Sequence, residues 1–538
     1  MIARTAQDAP HAPEAYRRGL WVRTTLADAL RAAAAQSPHR TILVDNDIRL
    51  DCATLDAQAS ALAGALLARM PPGSVVSFML PNWHESAVIY LAATLAGMVV
   101  NPILPSLRDH DLRYILQDAG TAMVFVPQRY GEHDYVDMLE RMRATMDRAP
   151  EVVVLRGDAG PHTPYAALLE PPSRDVALPA LDPDAVRMIL YTSGTTSRPK
   201  GVLHTHNSMH ALICQIRDHW AIEPGDTFLV PSPVAHIGGS IYAFECPLLL
   251  GTTAVLMDRW DATGAVALMD SHRCTHMAGA TPFLQQLLSA AQRVGTRLPD
   301  LKVFICGGAS VSPSLIRRAA QYFDRAAVTR VYGCTEVPVA TVGAPRPDEA
   351  DRAADTDGRP AIAEIKLVAH EAAPAGDGEI CVRGPQMLLG YRHPEDDSFD
   401  AAGFFRTGDL GRWVSSGSED QYLVVTGRAK DVIIRSGENI SAKEVEDLLA
   451  DHPGIAEIAV VGLPDDRTGE RACAVIVPAC GQTPDVASLL DLLVSKGVAK
   501  FKAPERVVLA DALPKNDAGK ILKHQIRAAL TQAETKDG

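Results

Sequence analysis

The sequence predicts an α/β fold with a large N-terminal domain of mostly parallel sheets layered with helices, followed by a small, mobile C-terminal α+β lid domain. Short apolar segments alternate with helical patterns along most of the chain. At 538 residues the chain is too long for one hydrophobic core. After a charged segment near Gly427, about a hundred residues form a second α/β pattern, which is enough for a domain with its own core.

The alternation can be followed in chain order. A capping-box-like Thr-Leu-Ala-Asp at Thr25 opens the first predicted helix. The strand VVSFML ends at Pro81, and the next segment, HESAVIYLAATLAG, is typical of a helix closed by Gly97. The segments MVVNPIL, MVFVP and VVVL follow as strands. Strand, helix and strand in this order favour a parallel sheet with helices on its faces.

The domain boundary is predicted at residue 427, which gives an N-terminal domain of residues 1–427 and a lid of residues 428–538. The lid pattern begins with the strand VIIR and a turn at residues 436–439. A helix then opens with the capping box from Ser441 to Glu444 and ends before Pro453, and the strand IAEIAVVG follows. A compact module on a short charged hinge is able to move as a unit.

The composition indicates which binding partners and which cellular compartment to expect. A formal charge of −13 and a pI near 5.7 argue against a nucleic-acid partner, because such proteins concentrate Lys and Arg. The nine cysteines are scattered and show no C-x-x-C spacing. We therefore expect neither a disulfide framework nor a zinc site, and the expected location is the cytoplasm.

Neither a secretory signal nor a membrane span is expected. The N-terminal segment MIARTAQDAPHAPEAYRRG has no apolar h-region, and its polar, proline-containing composition predicts a flexible leader. The longest uncharged run, residues 86–107, is interrupted by Asn101, Pro102 and Pro105. We interpret it as a buried helix followed by a strand and a turn.

The segment YTSGTTSRPKG, residues 191–201, has the composition of a phosphate-binding loop. Pro199 stands before Lys200, so the Walker P-loop is excluded. Gly194 permits close backbone approach, and Lys200 supplies positive charge. Hydroxyl donors come from Thr192, Ser193, Thr195, Thr196 and Ser197. The alternative interpretation is a surface turn rich in Ser and Thr.

The extended segment YTSGTTSRPKGV resembles the signature phosphate loop of the adenylate-forming superfamily, which comprises acyl-CoA synthetases, nonribosomal-peptide adenylation domains and beetle luciferases. Further segments resemble the other signatures of that superfamily, in the same order. They are VYGCTE at residues 331–336, RTGDL at 406–410, GRAKDVIIRSGENI at 427–440 and PKNDAGKILK at 514–523. The chain is thereby identified as a member of this superfamily along nearly its whole length.

The resemblance implies an ATP site. Its expected members are Thr192, Ser193, Gly194, Thr195, Thr196, Lys200, Gly307, Gly308, Ala309, Tyr332, Gly333, Asp409, Arg428 and Gly437. Tyr332 would stack on adenine beside the small-residue wall that begins at Gly307, although a core tyrosine is the plainer alternative. Asp409 would accept hydrogen bonds from the ribose hydroxyls, or else cap a helix. Arg428 would reach the ribose or a phosphate.

The resemblance also implies catalytic roles. Lys520 would offset the charge that develops on the α-phosphate, with an exposed lysine in a turn as the alternative. Thr335 would bind phosphate, and Glu336 would hold Mg²⁺. His236 would lie near the substrate carboxylate as a gate or pocket wall, because a carboxylate nucleophile needs no general base at neutral pH. Lys430 occupies the position of the family's hinge residue.

Among the members of the superfamily, segments such as ICGGASV and RSGENISAKEVEDLL most resemble bacterial short- and medium-chain acyl-CoA synthetases and cyclohexanecarboxylate-CoA ligases. This implies ATP, Mg²⁺ and CoA as reactants and cofactors, an acyl-AMP intermediate, and a swing of the lid that brings the Gly437 loop to the site for the CoA step. The substrate pocket is expected to be lined mostly by small residues, which leave room for a medium-chain or alicyclic acid; a short-chain acid is the alternative substrate. The expected lining residues are His236, Gly238, Gly239, Ala280, Thr281 and Gly333.

Two positions depart from the family pattern. Ser197 stands where many relatives have Gly, and its added hydroxyl is able to donate to phosphate. Ser436 stands where close relatives have the first glycine of a Gly-Gly pair, at the approach of CoA, where a side chain is expected to crowd the tunnel, and this departure keeps a second function open. An adenylation-only enzyme of a secondary-metabolite pathway would pass acyl-AMP to a partner ligase or carrier protein. A nucleotide-binding relative without turnover is a third interpretation, which the presence of Lys520 disfavours.

A homodimer is one candidate assembly of the chain.

Overall fold

The computed structural model describes residues 11–170, 177–192, 198–308, 311–346, 349–374, 376–396, 398–415, 421–435, 438–465, 467–479, 482–516 and 519–537. Within them the predicted α/β fold is confirmed: parallel sheets are layered with helices, and a smaller α+β unit follows at the C-terminal end.

The helices, in chain order, are α1 (Ala12–Arg17), α2 (Leu26–Gln36), α3 (Cys52–Leu67), α4 (His84–Leu95), α5 (Asp109–Ala119), α6 (Tyr135–Arg143), α7 (Tyr165–Leu168), α8 (His206–His219), α9 (Ile237–Ser240), α10 (Cys246–Leu249), α11 (Ala262–His272), α12 (Thr281–Val294), α13 (Pro313–Tyr322), α14 (Ala350–Asp355), α15 (Ala442–Leu449), α16 (Val486–Ser495) and α17 (Lys523–Asp537). A π-helical turn spans Ile241–Glu245, and short 3₁₀ turns span Pro394–Asp396, Ala429–Asp431 and Lys500–Lys502.

The strands are β1 (Thr41–Asp45), β2 (Ile48–Asp51), β3 (Val75–Phe78), β4 (Val99–Pro102), β5 (Thr121–Pro127), β6 (Arg129–Tyr130), β7 (His133–Asp134), β8 (Glu151–Leu155), β9 (Thr163–Pro164), β10 (Val186–Thr192), β11 (Lys200–Thr205), β12 (Thr227–Val230), β13 (Thr253–Leu256), β14 (His276–Gly279), β15 (Val303–Cys306), β16 (Ala327–Arg330), β17 (Glu364–Val368), β18 (Gly378–Arg383), β19 (Gly390–Tyr391), β20 (Phe405–Ser415), β21 (Gln421–Arg428), β22 (Val432–Arg435), β23 (Glu438–Ser441), β24 (Ile455–Asp465), β25 (Gly469–Pro478) and β26 (Arg506–Leu509).

Two large, mainly parallel sheets form the N-terminal part of the described chain. One has the strand order β16-β15-β14-β12-β13-β1-β2, and the other has the order β19-β11-β10-β4-β3-β5-β8-β9. Their central strands are almost wholly buried and mostly apolar, because both faces of each sheet are covered. The predicted helix after Pro81 is α4, which is buried on every side in the hydrophobic core shared by the two sheets.

The strands of the phosphate loop depart from the parallel pattern. β10 pairs in parallel with β4, but β11 returns antiparallel to β10, and β19 is antiparallel to β11. The loop between β10 and β11 is therefore a hairpin connection at one edge of the sheet. Its residues 193–197 lie outside the described residues.

A smaller antiparallel sheet, ordered β17-β18-β20-β21, leads into the C-terminal unit. That unit contains the sheet β23-β22-β25-β24, with β26 alongside β25 and its own apolar cores. At the start of α15 the Ser441 hydroxyl accepts the Glu444 N–H, as predicted, but the Glu444 carboxylate pairs with Lys502 instead of returning to the cap. The domain boundary at residue 427 and the hinge at Lys430 stay predictions.

The expected flexible leader is wrong for the described residues from 11 onward. Ala12 and Ala15 of α1 are buried, and the Tyr16 hydroxyl donates to Asp184 at 2.7 Å. The indole N–H of Trp21 donates to the Pro385 carbonyl at 3.0 Å. A few well-placed apolar and aromatic side chains therefore fix a segment whose overall composition is polar. No helix of the described residues combines the length and apolar composition that crossing a bilayer requires.

Candidate active site

A cleft of about 2630 Å³ runs between the N-terminal sheets and the C-terminal unit. Among its lining residues are the expected site members Thr192, Lys200, His236, Gly308, Tyr332, Gly333, Thr335, Glu336, Asp409, Arg428, Lys430 and Lys520. The fold therefore brings together residues that are separated by more than three hundred positions in the sequence. The predicted site residues Ser193, Gly194, Thr195, Thr196, Ala309 and Gly437, and the departures Ser197 and Ser436, lie outside the described residues.

Small residues shape one wall of the cleft by letting backbones approach. Gly308 has φ near 80°, in the left-handed region that favours glycine. A Cβ on Gly307 would lie 2.9 Å from Val331 Cγ2, and one on Gly333 would lie 2.6 Å from the backbone nitrogen of Val339. Close packing therefore requires the glycines at positions 307 and 333, and backbone conformation favours the glycine at position 308.

Asp409 is held at the base of the cleft by two partners. It lies in β20 directly opposite Arg428 in β21, and Arg428 Nε is 2.9 Å from Asp409 Oδ1. The Tyr332 hydroxyl donates to Asp409 Oδ2 at 2.8 Å. Because Asp409 is in a strand, the alternative of a helix cap is wrong.

Tyr332 is both a core residue and part of the cleft lining. It is 8% exposed and packs in an apolar cluster, and it also lines the cleft. Burial raises the pKa of its hydroxyl well above the usual value, and the charge of Asp409 adds to this shift. Tyr332 is therefore a stable hydrogen-bond donor that fixes the orientation of Asp409.

Glu336 is oriented by two residues outside its own motif. Its Oε1 accepts the Tyr391 hydroxyl at 2.8 Å, and its backbone carbonyl accepts the Leu388 N–H at 2.7 Å. Burial raises the pKa of Tyr391, so this hydroxyl also stays protonated. A fixed carboxylate beside the Thr335 hydroxyl is an all-oxygen donor set, which fits the preference of Mg²⁺ for hard oxygen ligands.

The cationic end of the phosphate loop is paired with a carboxylate. Lys200 Nζ lies 3.5 Å from Asp396 Oδ1, and Arg198 Nη2 lies 3.3 Å from Asp396 Oδ2. The Lys200 ammonium is also 5.2 Å from the centre of the Tyr391 ring. Asp396 therefore serves as the counter-ion of Arg198 and Lys200, both of which line the cleft.

Lys520 reaches the cleft from the C-terminal unit on a short turn. The Asn516 side-chain oxygen accepts the Lys520 N–H at 2.8 Å, and the Asn516 N–H donates to the Lys520 carbonyl at 2.9 Å. A Cβ on Gly519 would lie 3.5 Å from Pro282 Cγ, so the turn packs against the N-terminal part of the cleft. Lys520 is half-buried in the cleft lining and is not an exposed side chain, which argues against the alternative of a lysine in an exposed turn.

The position of Lys520 changes its proton affinity. Burial and, to a smaller extent, the positive charge of Arg428 together lower the pKa of the ammonium to about 8. The negative charge of Asp409 opposes this effect. The Lys520 ammonium thus lies near the cations Arg428 and Lys430, and an anionic group bound beside it would stabilise its protonated form.

His236 lies on the wall where the acid is expected. It caps the N-terminus of the short helix α9, and its buried Nε2 has no hydrogen-bond partner within the described part of the chain. Burial lowers its pKa to about 4, so the imidazole is neutral at pH 7. Thr281 also lines the cleft, whereas a Cβ on Gly239 would meet the Pro233 carbonyl, which shows that this glycine serves close packing.

The sequence reasoning missed three residues of this site. Tyr391 and Asp396 lie between the motifs VYGCTE and RTGDL and belong to neither, and their contacts are visible only in three dimensions. Asn516 lies inside PKNDAGKILK, four positions before Lys520. An Asn that is followed after a short interval by Gly is a turn signal, which could have identified it.

Comparison with known proteins identifies the family of the chain. The sequence model of the AMP-binding enzyme family matches residues 30–392, and that of the AMP-binding enzyme C-terminal domain matches residues 444–520. The medium-chain fatty-acid–CoA ligase of Escherichia coli (strain K12) is 34% identical, over 97% of this chain and 94% of that protein. A salicylyl-CoA synthase / salicylate adenylyltransferase of Streptomyces sp. is 31% identical, over 96% of each.

Among solved structures, ATP-bound MatB from Rhodopseudomonas palustris superposes with a TM-score of 0.81 at 27% identity, covering 94% of this chain and 99% of that one. The resemblance inferred from the motifs is therefore confirmed over both parts of the molecule. The chain belongs to the adenylate-forming AMP-binding enzymes.

Proposed function

We propose that this AMP-binding enzyme is an AMP-forming acid–thiol ligase that activates an apolar, medium-chain or alicyclic carboxylic acid with ATP and transfers the acyl group to CoA. The observation that carries the proposal is the convergence of Lys520 with Asp409, Thr335 and Glu336 in one cleft. The relative from Escherichia coli, named as a medium-chain fatty-acid–CoA ligase, supports the choice of acid.

In the first half-reaction, an oxygen of the substrate carboxylate attacks the α-phosphorus of ATP. A new P–O bond forms, the bond between the α-phosphorus and the bridging oxygen breaks, and pyrophosphate leaves with the electron pair. Lys520 stabilises the charge that builds on the α-phosphate, and Lys200 with the Thr335 hydroxyl binds the outer phosphates. Preorganised charges of this kind contribute about a hundredfold or more to the rate.

Asp409 binds the ribose hydroxyls as an acceptor. Because Tyr332 and Arg428 already hold its two oxygens, the carboxylate is oriented before ATP arrives. The side of Tyr332 that lines the cleft stacks on adenine, beside Gly307 and Gly308. Preorganisation matters here because a misplacement of about 1 Å at the reacting atoms is costly in rate.

Glu336 is the residue that would hold Mg²⁺, with its carboxylate fixed by Tyr391. The ion would supply positive charge to the phosphate oxygens and to the departing pyrophosphate. His236 forms the wall beside the acid. Its neutral imidazole offers a hydrogen-bonding nitrogen without adding charge to an apolar pocket.

In the second half-reaction the CoA sulfur attacks the acyl carbon, AMP leaves, and the thiol proton is released. Lys520 has no role in this step, so the lid is proposed to turn about Lys430 and to present the Gly437 loop to the site. Lys430 lies in the 3₁₀ turn that joins β21 of the N-terminal part to β22 of the lid. A short connection between two separately packed sheets is a suitable hinge.

The proposed setting is the reducing cytoplasm, with small-molecule partners. The cysteines of the described residues are free thiols, and most are buried. A homodimer is the proposed assembly, and its test is the mass of the purified protein in solution.

The experiment combines the protein with ATP, Mg²⁺ and a panel of acids that includes octanoate, cyclohexanecarboxylate, acetate and salicylate. Pyrophosphate release is followed by a coupled assay, and acyl-AMP and acyl-CoA are identified by mass spectrometry. Octanoate or cyclohexanecarboxylate should give both pyrophosphate and the CoA thioester. Absence of pyrophosphate with every acid would contradict the proposal, and a preference for acetate would replace the proposed acid with a short-chain one.

The second candidate function is adenylation alone, with acyl-AMP passed to a partner ligase or carrier protein. The relative named both salicylyl-CoA synthase and salicylate adenylyltransferase favours it, because adenylation is named there as an activity of its own. Acyl-AMP that accumulates unchanged when CoA is added would select this candidate. Transfer to the phosphopantetheine arm of a carrier protein would then be the next measurement.

A further inference from the structure

A buried histidine that the proposed reaction does not use contacts the backbone of the metal-binding motif. His204 is 0% exposed, and its Nε2 lies 2.8 Å from the Thr335 carbonyl oxygen. A carbonyl oxygen can only accept, so Nε2 carries the proton. Burial lowers the pKa of His204 to about 4, and the ring is therefore neutral, with Nδ1 as an acceptor facing the Ser208 hydroxyl at 3.2 Å.

This hydrogen bond anchors one of the two peptide planes that flank the Glu336 Cα. The Thr335 carbonyl shares a rigid peptide plane with the Glu336 N–H. The next plane contains the Glu336 carbonyl, which accepts the Leu388 N–H at 2.7 Å. Both planes that flank the Glu336 Cα are thus anchored, which fixes its φ and ψ and hence the direction of its side chain. Tyr391 then fixes the carboxylate itself.

His204 also shares a strand face with the phosphate loop. Alternate residues of a strand point to the same side, so Lys200, Val202 and His204 of β11 lie on one face. Tyr391 of β19 is the register partner of Val202 and points to that side too. One face of the β11–β19 pair therefore presents the phosphate-binding lysine together with two of the groups that orient Glu336.

We propose that His204 is a positioning residue for the adenylation step, which orients Glu336 toward the metal-bound phosphates of ATP through its hydrogen bond to the Thr335 carbonyl. The inference rests on the proposed function in assigning Glu336 to the first half-reaction. It predicts an effect on the requirement for Mg²⁺ that a general loss of packing would not produce. It also predicts no effect on the transfer of a preformed acyl-adenylate to CoA, because that step involves no triphosphate.

The test compares His204→Leu, which removes the donor, with His204→Gln, whose amide N–H is able to reach the same carbonyl. His204→Leu should lower kcat for acid-dependent pyrophosphate release and raise the Mg²⁺ concentration for half-maximal rate, each by about tenfold, because a buried carbonyl loses its partner. Conversion of supplied acyl-AMP and CoA should stay within about twofold of the wild type. His204→Gln should recover most of the loss.

His276→Leu is the matched control. His276 is also 0% exposed and makes the same kind of bond, from Nε2 to the Trp220 carbonyl at 2.8 Å, with the Thr275 hydroxyl at Nδ1. It lies at the start of β14, and it is not among the residues lining the cleft. This variant should lose thermal stability to a similar extent as His204→Leu but keep the normal Mg²⁺ requirement.

The inference is overturned by a His204→Leu enzyme whose Mg²⁺ requirement matches the wild type, or by equal losses in both half-reactions. It is equally overturned when His204→Gln behaves as His204→Leu while both fold normally. Thermal stabilisation by MgATP gives a readout that needs no turnover. Wild-type protein that binds MgATP but releases no pyrophosphate would refute the proposed function, and the loss of Mg²⁺-dependent stabilisation in His204→Leu would still decide the role of His204.

Discussion

Lys520 should make adenylation depend on pH in a range where few other groups titrate. Its pKa is lowered to about 8 by burial and by the nearby Arg428. About nine-tenths of the side chains then carry the proton at pH 7 and about one-tenth at pH 9. Because only the protonated form stabilises the α-phosphate, kcat/KM for ATP should fall by about tenfold across this interval.

For adenylation, kcat/KM for ATP and kcat should begin to fall at different pH values. The profile of kcat/KM reports the free enzyme, whereas that of kcat reports the complex with ATP. The phosphates place negative charge beside Lys520 and raise its pKa, so kcat should begin to fall only at higher pH. Pyrophosphate release at saturating and at low ATP, measured from pH 6.5 to about 9.5, separates the two constants.

Substitution identifies the titrating group. Lys520→Arg keeps a charge that does not titrate in this range, so its profile should be flat near pH 8 even where the geometry lowers the rate. Lys520→Met should lose about a hundredfold or more in adenylation and keep the transfer of supplied acyl-AMP to CoA. An inflection near pH 8 that persists in Lys520→Arg would refute the assignment.

Two further substitutions test other contacts at the cleft, and a third tests the expected approach of CoA. Tyr391→Phe should raise the Mg²⁺ requirement by about fivefold in the pyrophosphate assay, because the Glu336 carboxylate loses its hydroxyl donor; an unchanged requirement would show that this bond is not needed. Asp396→Asn should lower the KM for ATP by about threefold, since the carboxylate that competes with phosphate for Lys200 loses its charge, and a higher KM would instead make Asp396 part of the ATP site. Ser436→Gly should increase thioester formation from supplied acyl-AMP relative to pyrophosphate release, and no increase would remove the concern that this side chain crowds the approach of CoA.

The fold was largely predictable because its signals are local. The run before Pro81 and the helix up to Gly97 could be identified from apolar periodicity and from the residues that end each element. The strand order and the antiparallel return of β11 could not, because they depend on which segments meet in space. The N-terminal segment was predicted wrongly for the same reason: Tyr16 and Asp184 are 168 residues apart in sequence.

The residues of the candidate site also fall into two groups, those that the sequence could identify and those that only the fold reveals. Residues such as Lys520 and Asp409 stand within motifs, so their types and order were sufficient to identify them. Tyr391 and His204 act by supporting a motif from outside it, at separations of 55 and 131 residues from their partners. A single sequence contains no information about such pairs unless the fold is known.

The partly deprotonated Lys520 has a thermodynamic consequence for substrate binding. In the unliganded cleft its pKa is near 8, and an ATP phosphate beside it shifts the equilibrium toward the ammonium form. Binding of ATP at pH 8 should therefore take up about half a proton per site from the solvent. The observed binding enthalpy would then vary with the ionisation enthalpy of the buffer, so calorimetry in two buffers counts the protons and, through them, reports whether the Lys520 ammonium lies beside the bound phosphates.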